Sequence, residues 1–164
     1  MLRKTRSLYR HRCLIHGDIR RENWIADGSG QQLVVKVLDW ELSGSGDPAW
    51  DLGSMLAETV IDIIRDGASL RPGETGWPAL SEPAIREFIT VYVSAGGLID
   101  PHEASAWEHV MLCSIARLLH VACEWADLQA EPDNGPLQVI MEQARQLLGR
   151  RREATAALGA WSGQ

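Results

Sequence analysis

The sequence predicts an α+β protein, mainly helical, with a small β-hairpin around one loop and a bundle of about four helices. Three observations carry this. Leu33-Val34-Val35-Lys36-Val37-Leu38 is β-branched and apolar, the composition of a buried strand. From Pro48 onward the apolar residues recur at helical spacing. The chain has 164 residues, 45% hydrophobic and 23% charged, which suits one domain with a real core and argues against disorder.

The elements follow in order. Arg12–Ile15 is an extended run ending at His16. Asn23–Ala26 is a short apolar piece, and Asp27-Gly28-Ser29-Gly30 is a turn cluster. With the Leu33–Leu38 strand these frame the segment His16–Asn23. Asp47 reads as an N-cap and Pro48 as the first residue of a helix that runs to Asp66-Gly67. Residues 67–80 are rich in Gly and Pro and read as a loop. A second helix is expected from Ser81, with Pro83 in its first turn, to Gly96-Gly97. A third is expected from Asp100-Pro101 to about Leu128, stopped by Glu131-Pro132. A fourth is expected from Pro136 to about Arg152. One domain results: a basic arm (1–11), a segment of loops and strands (12–47), a helical part (48–152) and a tail (153–164).

Charge and composition exclude several classes. No apolar run is long enough to cross a membrane, and no secretory signal follows the basic start. Three widely spaced cysteines do not make a disulfide framework, and a reducing cytoplasm fits best. Residues 1–21 hold seven Lys/Arg and one acid, whereas the rest holds the other nine bases and 21 of the 22 acids. That acidic body repels phosphate backbones, so no nucleic-acid partner is expected.

The informative segment is Leu14-Ile15-His16-Gly17-Asp18-Ile19-Arg20-Arg21-Glu22-Asn23. An Asp and an Asn five residues apart on a loop between strands can meet over one reacting centre. Leu38-Asp39-Trp40-Glu41 then places an acid at a strand end. Oxygen ligands such as Asn23 and Asp39 suit Mg²⁺, which takes one or two protein oxygens together with nucleotide phosphates and water. Asp18 is then free to accept a proton from an attacking hydroxyl. Phosphoryl transfer needs that division of labour.

These residues resemble the aminoglycoside phosphotransferase and choline kinase family, relatives of the protein kinases. His16-Gly17-Asp18 and Asn23 match the H-G-D-x-x-x-x-N loop. Asp39-Trp40-Glu41 matches the D-x-E or D-x-G segment. Gly46-Asp47-Pro48 with Asp51-Leu52 matches G-D-P-x-x-D-L. The resemblance implies the C-terminal lobe of a protein-kinase-like fold. It also implies an ATP-dependent transfer of the γ-phosphate to a hydroxyl of a small molecule. In those terms Asp18 is the catalytic base and His16 supports its loop. Asn23 and Asp39 hold Mg²⁺, with Glu41 as a further candidate ligand. Asp47 and Asp51 buttress the loop from the following helix.

Only 15 residues precede His16, and the two lysines, Lys4 and Lys36, stand in no nucleotide-binding context. No G-x-x-x-x-G-K-[ST] loop is present. The expectation is a lobe that lacks its nucleotide-covering N-terminal sheet, so ATP binding is incomplete and transfer weak. The covering lobe would come from a longer parent chain, a protein partner or a second copy in a homodimer. The competing expectation is a non-catalytic kinase-like module, or a fragment, that docks on a protein partner.

Other patterns carry less. His109, Cys113, His120 and Cys123 form a stripe, but their 14-residue span is about 21 Å of helix, against zinc–ligand distances near ~2 Å. The stripe reads as a buried face, with two zinc half-sites completed elsewhere in the fold as the alternative. Cys13 reads as a core thiol. Trp24, Trp40 and Trp50 flank the motifs and could line a pocket, while Trp77, Trp107 and Trp125 read as core or substrate wall. Glu103, Glu108, Glu124 and Asp127 could attract a cationic substrate, or simply form a solvated acidic face.

Overall fold

The computed structural model describes residues 13–28, 34–65, 76–100, 102–128 and 135–162, without the side chains of 76–82 and 84. The basic arm, Ser29-Gly30, most of the Gly/Pro-rich stretch and Glu131-Pro132 lie outside the described residues, as does the side chain of Trp77. The front part holds β1 (Cys13–Ile15), a 3₁₀ turn (Arg21–Asn23), β2 (Trp24–Asp27), β3 (Val34–Val37), a second 3₁₀ turn (Trp40–Leu42) and β4 (Gly44–Gly46). The helices are α1 (Pro48–Arg65), α2 (Gly76–Ser94), α3 (Ala104–Leu128), α4 (Gly135–Gly149) and α5 (Arg151–Ser162). Among the described residues no helix is long and apolar enough to cross a membrane.

The expected single hairpin is two antiparallel ribbons. β2 pairs with β3, Trp24 opposite Val37, and β1 pairs with β4, Leu14 opposite Ser45. Gly44-Ser45-Gly46 lacks every compositional mark of a strand. It pairs because the neighbouring backbone offers a ladder, and context overrides propensity. The Val-rich strand is a second correction. Val34 and Val35 are about half exposed, so the β-branched run marks a strand without marking a buried one. Leu14, Leu38, Trp40 and Leu42 also face outward.

Asp47 caps α1: its Oδ1 accepts from the Ala49 N–H at 3.0 Å, and Trp50 N–H donates to its carbonyl at 2.9 Å. Leu52, Leu56, Val60 and Ile61 of α1 pack on α3, whose residues 110–115 are buried without a break. A helical stretch buried on all sides lies in the core, and α3 touches α1, α4 and α5. The α1–α3 crossing is close. A Cβ on Gly53 would stand 2.7 Å from the Cys113 Cβ and the Ser114 N and 2.8 Å from the Val110 carbonyl oxygen. Only glycine permits that approach.

Three helix boundaries differ from expectation. α2 begins at Gly76, so Pro78 occupies the first turn, where its missing N–H costs nothing, and Pro83 lies inside the helix. At Asp100 the side chain accepts from the His102 N–H at 2.9 Å, and α3 starts after that turn, at Ala104. The fourth helix breaks at Gly149-Arg150, and the expected tail is mostly α5. Gly149 is a poor helix former. Ala154, Leu158 and Trp161, three and four residues apart, bury one face of α5.

Candidate active site

The segment 16–23 has little regular structure and is held by side chains from elsewhere. Gly17 adopts φ +86°, and a Cβ there would stand 2.7 Å from the Leu42 carbonyl oxygen, so only glycine fits without strain. The Asp51 carboxylate at the start of α1 accepts two backbone N–H groups, His16 at 2.7 Å and Gly17 at 3.0 Å. One turn position away, the Trp50 indole N–H donates to the Gly17 carbonyl at 2.9 Å. Ile15 and Ile19 are buried beneath, beside an apolar cavity of about 290 Å³ that Leu52, Met55, Phe88 and Tyr92 also line.

His16 is buried and joins the two ribbons. Its Nε2–H donates to the Leu38 carbonyl at 2.7 Å, and its Nδ1 accepts the Asp18 N–H at 3.3 Å. That pair of bonds puts the ring proton on Nε2. Trp40 lies tilted against the ring, with centroids 4.8 Å apart.

Asn23 is buried at the end of the loop. Its Nδ2 donates to the Asp18 carbonyl at 3.0 Å and reaches the Asp18 Oδ2 at 3.5 Å, which turns its Oδ1 the other way. The Leu38 N–H donates to the Asn23 carbonyl at 2.8 Å. This bond puts Asp39, the next residue, at the same ribbon end as Asn23. Asp39 is exposed and left-handed, φ 59° and ψ 63°, a conformation that Asp tolerates better than most residues. Both side chains offer oxygen to a hard cation, and two protein oxygens are enough for Mg²⁺ bound with phosphates and water. The donor chemistry therefore fits that ion. Glu41 sits exposed on the 3₁₀ turn after Asp39. Among the described residues, no three or more His, Cys, Asp or Glu groups gather as a metal cluster.

Asp47 points elsewhere. Besides capping α1, its Oδ2 lies 3.1 Å from His109 Nε2 in the buried body. The His/Cys stripe is thereby divided. His109 meets Asp47 and lies 4.0 Å from the Cys113 sulfur, whereas His120 faces Arg117 and Glu124. Burial, with Asp47 adding to it, pushes the Cys113 thiol up to about 12. Cys13 is likewise raised, by burial first and then by Asp51 and Asp47. Neither thiol is a ready nucleophile. Trp107 is core, and Trp125 lies under the Arg65 guanidinium.

The loop carries charged neighbours that the sequence motifs did not mark. Arg20 lies 3.6 Å from Asp18 and 3.1 Å from Glu124 of α3. Arg117 of α3 lies 3.4 Å from Asp18 and 3.6 Å from Glu58 of α1. Glu58 Oε2 also accepts the Arg21 N–H at 3.2 Å, and burial raises its carboxyl above the ordinary range. Burial opposes the ionisation of Glu22, but its own backbone N–H and the Arg65 guanidinium outweigh it, and its carboxyl stays low. The available signal for Arg117 was a lone arginine inside the otherwise nearly apolar run Val110–Leu119 of α3.

Residues 1–88 match the model of the phosphotransferase enzyme family. Acyl-CoA dehydrogenase family member 11 of Mus musculus is 32% identical over 114 residues, covering 67% of this chain and 14% of that protein. The Rattus norvegicus protein of the same name gives the same figures. The probable acyl-CoA dehydrogenase IBR3 of Arabidopsis thaliana is 32% identical over 108 residues, 63% of this chain and 12% of its own. The chain thus spans about one seventh or less of the length of these relatives. No solved structure matches. The family match spans every motif residue from His16 to Asp51, and the chain belongs to the phosphotransferase enzyme family.

Proposed function

We propose that the chain is the catalytic-loop part of an ATP-dependent phosphotransferase, in the manner of a kinase C-terminal lobe, acting on a hydroxyl of a small molecule. The observation that carries this reading is the joining of Asp18 and Asn23 through the Asn23 amide, at 3.0 Å and 3.5 Å, with Asp39 at the same ribbon end. Asp18 accepts the proton of the acceptor hydroxyl. Asn23 and Asp39 hold Mg²⁺, with Glu41 close enough in sequence to assist. Bound there, Mg²⁺ would neutralise charge on the phosphate oxygens. His16 and Asp51 keep the loop backbone in place, and Asp47 anchors the helix that carries Asp51.

The 164 residues supply the base and the metal ligands but no phosphate-clamping lysine loop. We place that clamp on residues outside this sequence, in a longer chain, a protein partner or a second copy. Losing such a clamp costs about 100-fold or more in rate. The test is transfer from [γ-³²P]ATP to choline, glucosamine and related hydroxylated amines, with and without Mg²⁺. Metal-dependent labelling of an acceptor that Asp18→Asn abolishes is expected, at a low rate for these residues alone. Labelling that survives Asp18→Asn overturns the role of the base.

A second reading, a module that docks on a protein partner without chemistry, is favoured by the exposure of the apolar Leu14, Leu38, Trp40 and Leu42. Binding of ATP with Mg²⁺ by calorimetry separates the two, since the module needs none.

A further inference from the structure

Arg117 is 2% exposed, in the middle of the core helix α3. Its Nη2 lies 3.4 Å from Asp18 Oδ1 and 3.6 Å from Glu58 Oε1, and its Nη1 lies 3.3 Å from His120 Nδ1. Its Nε and Nη2 make no hydrogen bond of good geometry in the structure. A buried guanidinium with unsatisfied donors is expensive, and apolar residues of similar volume often serve stability as well or better. Stability alone gives no reason for a charge at this place. The two oxygens of Asp18 meet different surroundings. Oδ1 faces the enclosed Arg117, whereas Oδ2 faces the Asn23 amide and the half-buried Arg20.

We infer that Arg117 is a positioning residue for Asp18: its guanidinium holds Oδ1 from inside the helical body and thereby fixes the carboxylate plane that presents Oδ2 to the acceptor hydroxyl. Glu58 is the counter-charge that sets the guanidinium, and it also holds the Arg21 N–H, so one unit of α1 and α3 grips the loop at both Asp18 and Arg21. The other charged groups nearby sit at the rim. Arg20 pairs outward with Glu22 and Glu124, His120 lies against Glu124, and Arg65 pairs with Glu22. None of these replaces a cation enclosed behind Oδ1.

The inference rests on the phosphotransferase reading, and the experiment separates the two. Arg117→Met alone leaves Glu58 as a lone buried charge, so it is paired with Glu58→Gln in a double variant; Arg117→Lys is the conservative control. Two readouts are taken: amide hydrogen exchange of residues 16–23 by mass spectrometry, and kcat and KM for ATP in Mg²⁺-dependent labelling of choline or glucosamine. The double variant is expected to melt close to wild type, yet to exchange about tenfold faster in 16–23, the worth of one lost charged contact. Its kcat is expected to fall about 100-fold, as for a misplaced catalytic group, with KM for ATP nearly unchanged. Arg117→Lys is expected to recover most of the exchange protection. A folded double variant with wild-type exchange in 16–23 overturns the inference. If wild type itself transfers no phosphate to any acceptor, the functional reading fails, and the exchange data still decide whether Arg117 holds the loop.

Discussion

Replacing Asp51 by alanine removes the acceptor of two backbone N–H groups, His16 at 2.7 Å and Gly17 at 3.0 Å. Hydrogen bonds to a charged group contribute about 1.5–3 kcal/mol each. Both are only partly buried, so the lower end applies and the sum is about 3 kcal/mol. Gly17 cannot relax to find other partners cheaply, because its φ of +86° and its contact with the Leu42 carbonyl fix it. Asp51→Asn keeps one acceptor oxygen and turns an amide N–H₂ toward the other donor, for a loss of about 2 kcal/mol. Urea denaturation checks both, with the m-value as control for two-state behaviour. The ordering wild type, then Asn, then Ala is the expected result. A loss below about 0.5 kcal/mol for Asp51→Ala, at unchanged m, would refute the view that this carboxylate carries the loop.

Other outcomes follow from the same geometry. Gly53→Ala pushes a methyl against the backbone of α3 and is expected to cost about 1–3 kcal/mol in a thermal melt. Cys113, with its thiol raised to about 12, is expected to resist iodoacetamide at pH 8 in the native state, while exposed Cys123 is labelled, as read by peptide mass spectrometry. Glu58 is raised above its ordinary 4.5 by burial, so the folded state binds this proton more tightly than the unfolded one. The stability it contributes is whole below about pH 4.5 and is lost as pH rises through the raised value. The melting temperature of Glu58→Gln relative to wild type is therefore expected to increase with pH above about 4.5. A flat difference between pH 4 and 7 would remove Glu58 as a buried titrating group.

The loop and its partners were readable to different degrees. His16, Asp18, Asn23 and Asp39 stand in short fixed spacings, and spacing survives in a one-dimensional string. The start of α1 was readable for the same reason, since Asp47-Pro48 is local chemistry. Val34 and Val35 show where that kind of reading stops: β-branching reports backbone shape, and nothing local says which layer covers it. Gly44–Gly46 pairs through its backbone alone, which leaves no side-chain trace. Arg117 and Glu58 are ordinary letters on helices far downstream of Asp18. Their meaning arises where α1 and α3 cross, and that crossing is legible only once Gly53 is seen against Val110 and Ser114. In α5, small residues hide the apolar face that Leu158 and Trp161 complete.

The attachment of the loop to α1 also sets an order of assembly. His16 is bonded to a carboxylate 35 residues later in the chain, and the Gly17 carbonyl waits on an indole of the same helix. The loop has no ladder of its own to form on while that helix is absent. Helices pack early through local contacts, and non-local bonds close later. Asp18 thus comes into place on a finished helical body, and a transient fraying of the first turn of α1 would free the His16 and Gly17 backbone while Arg117 in the intact α1–α3 core still lies against Asp18.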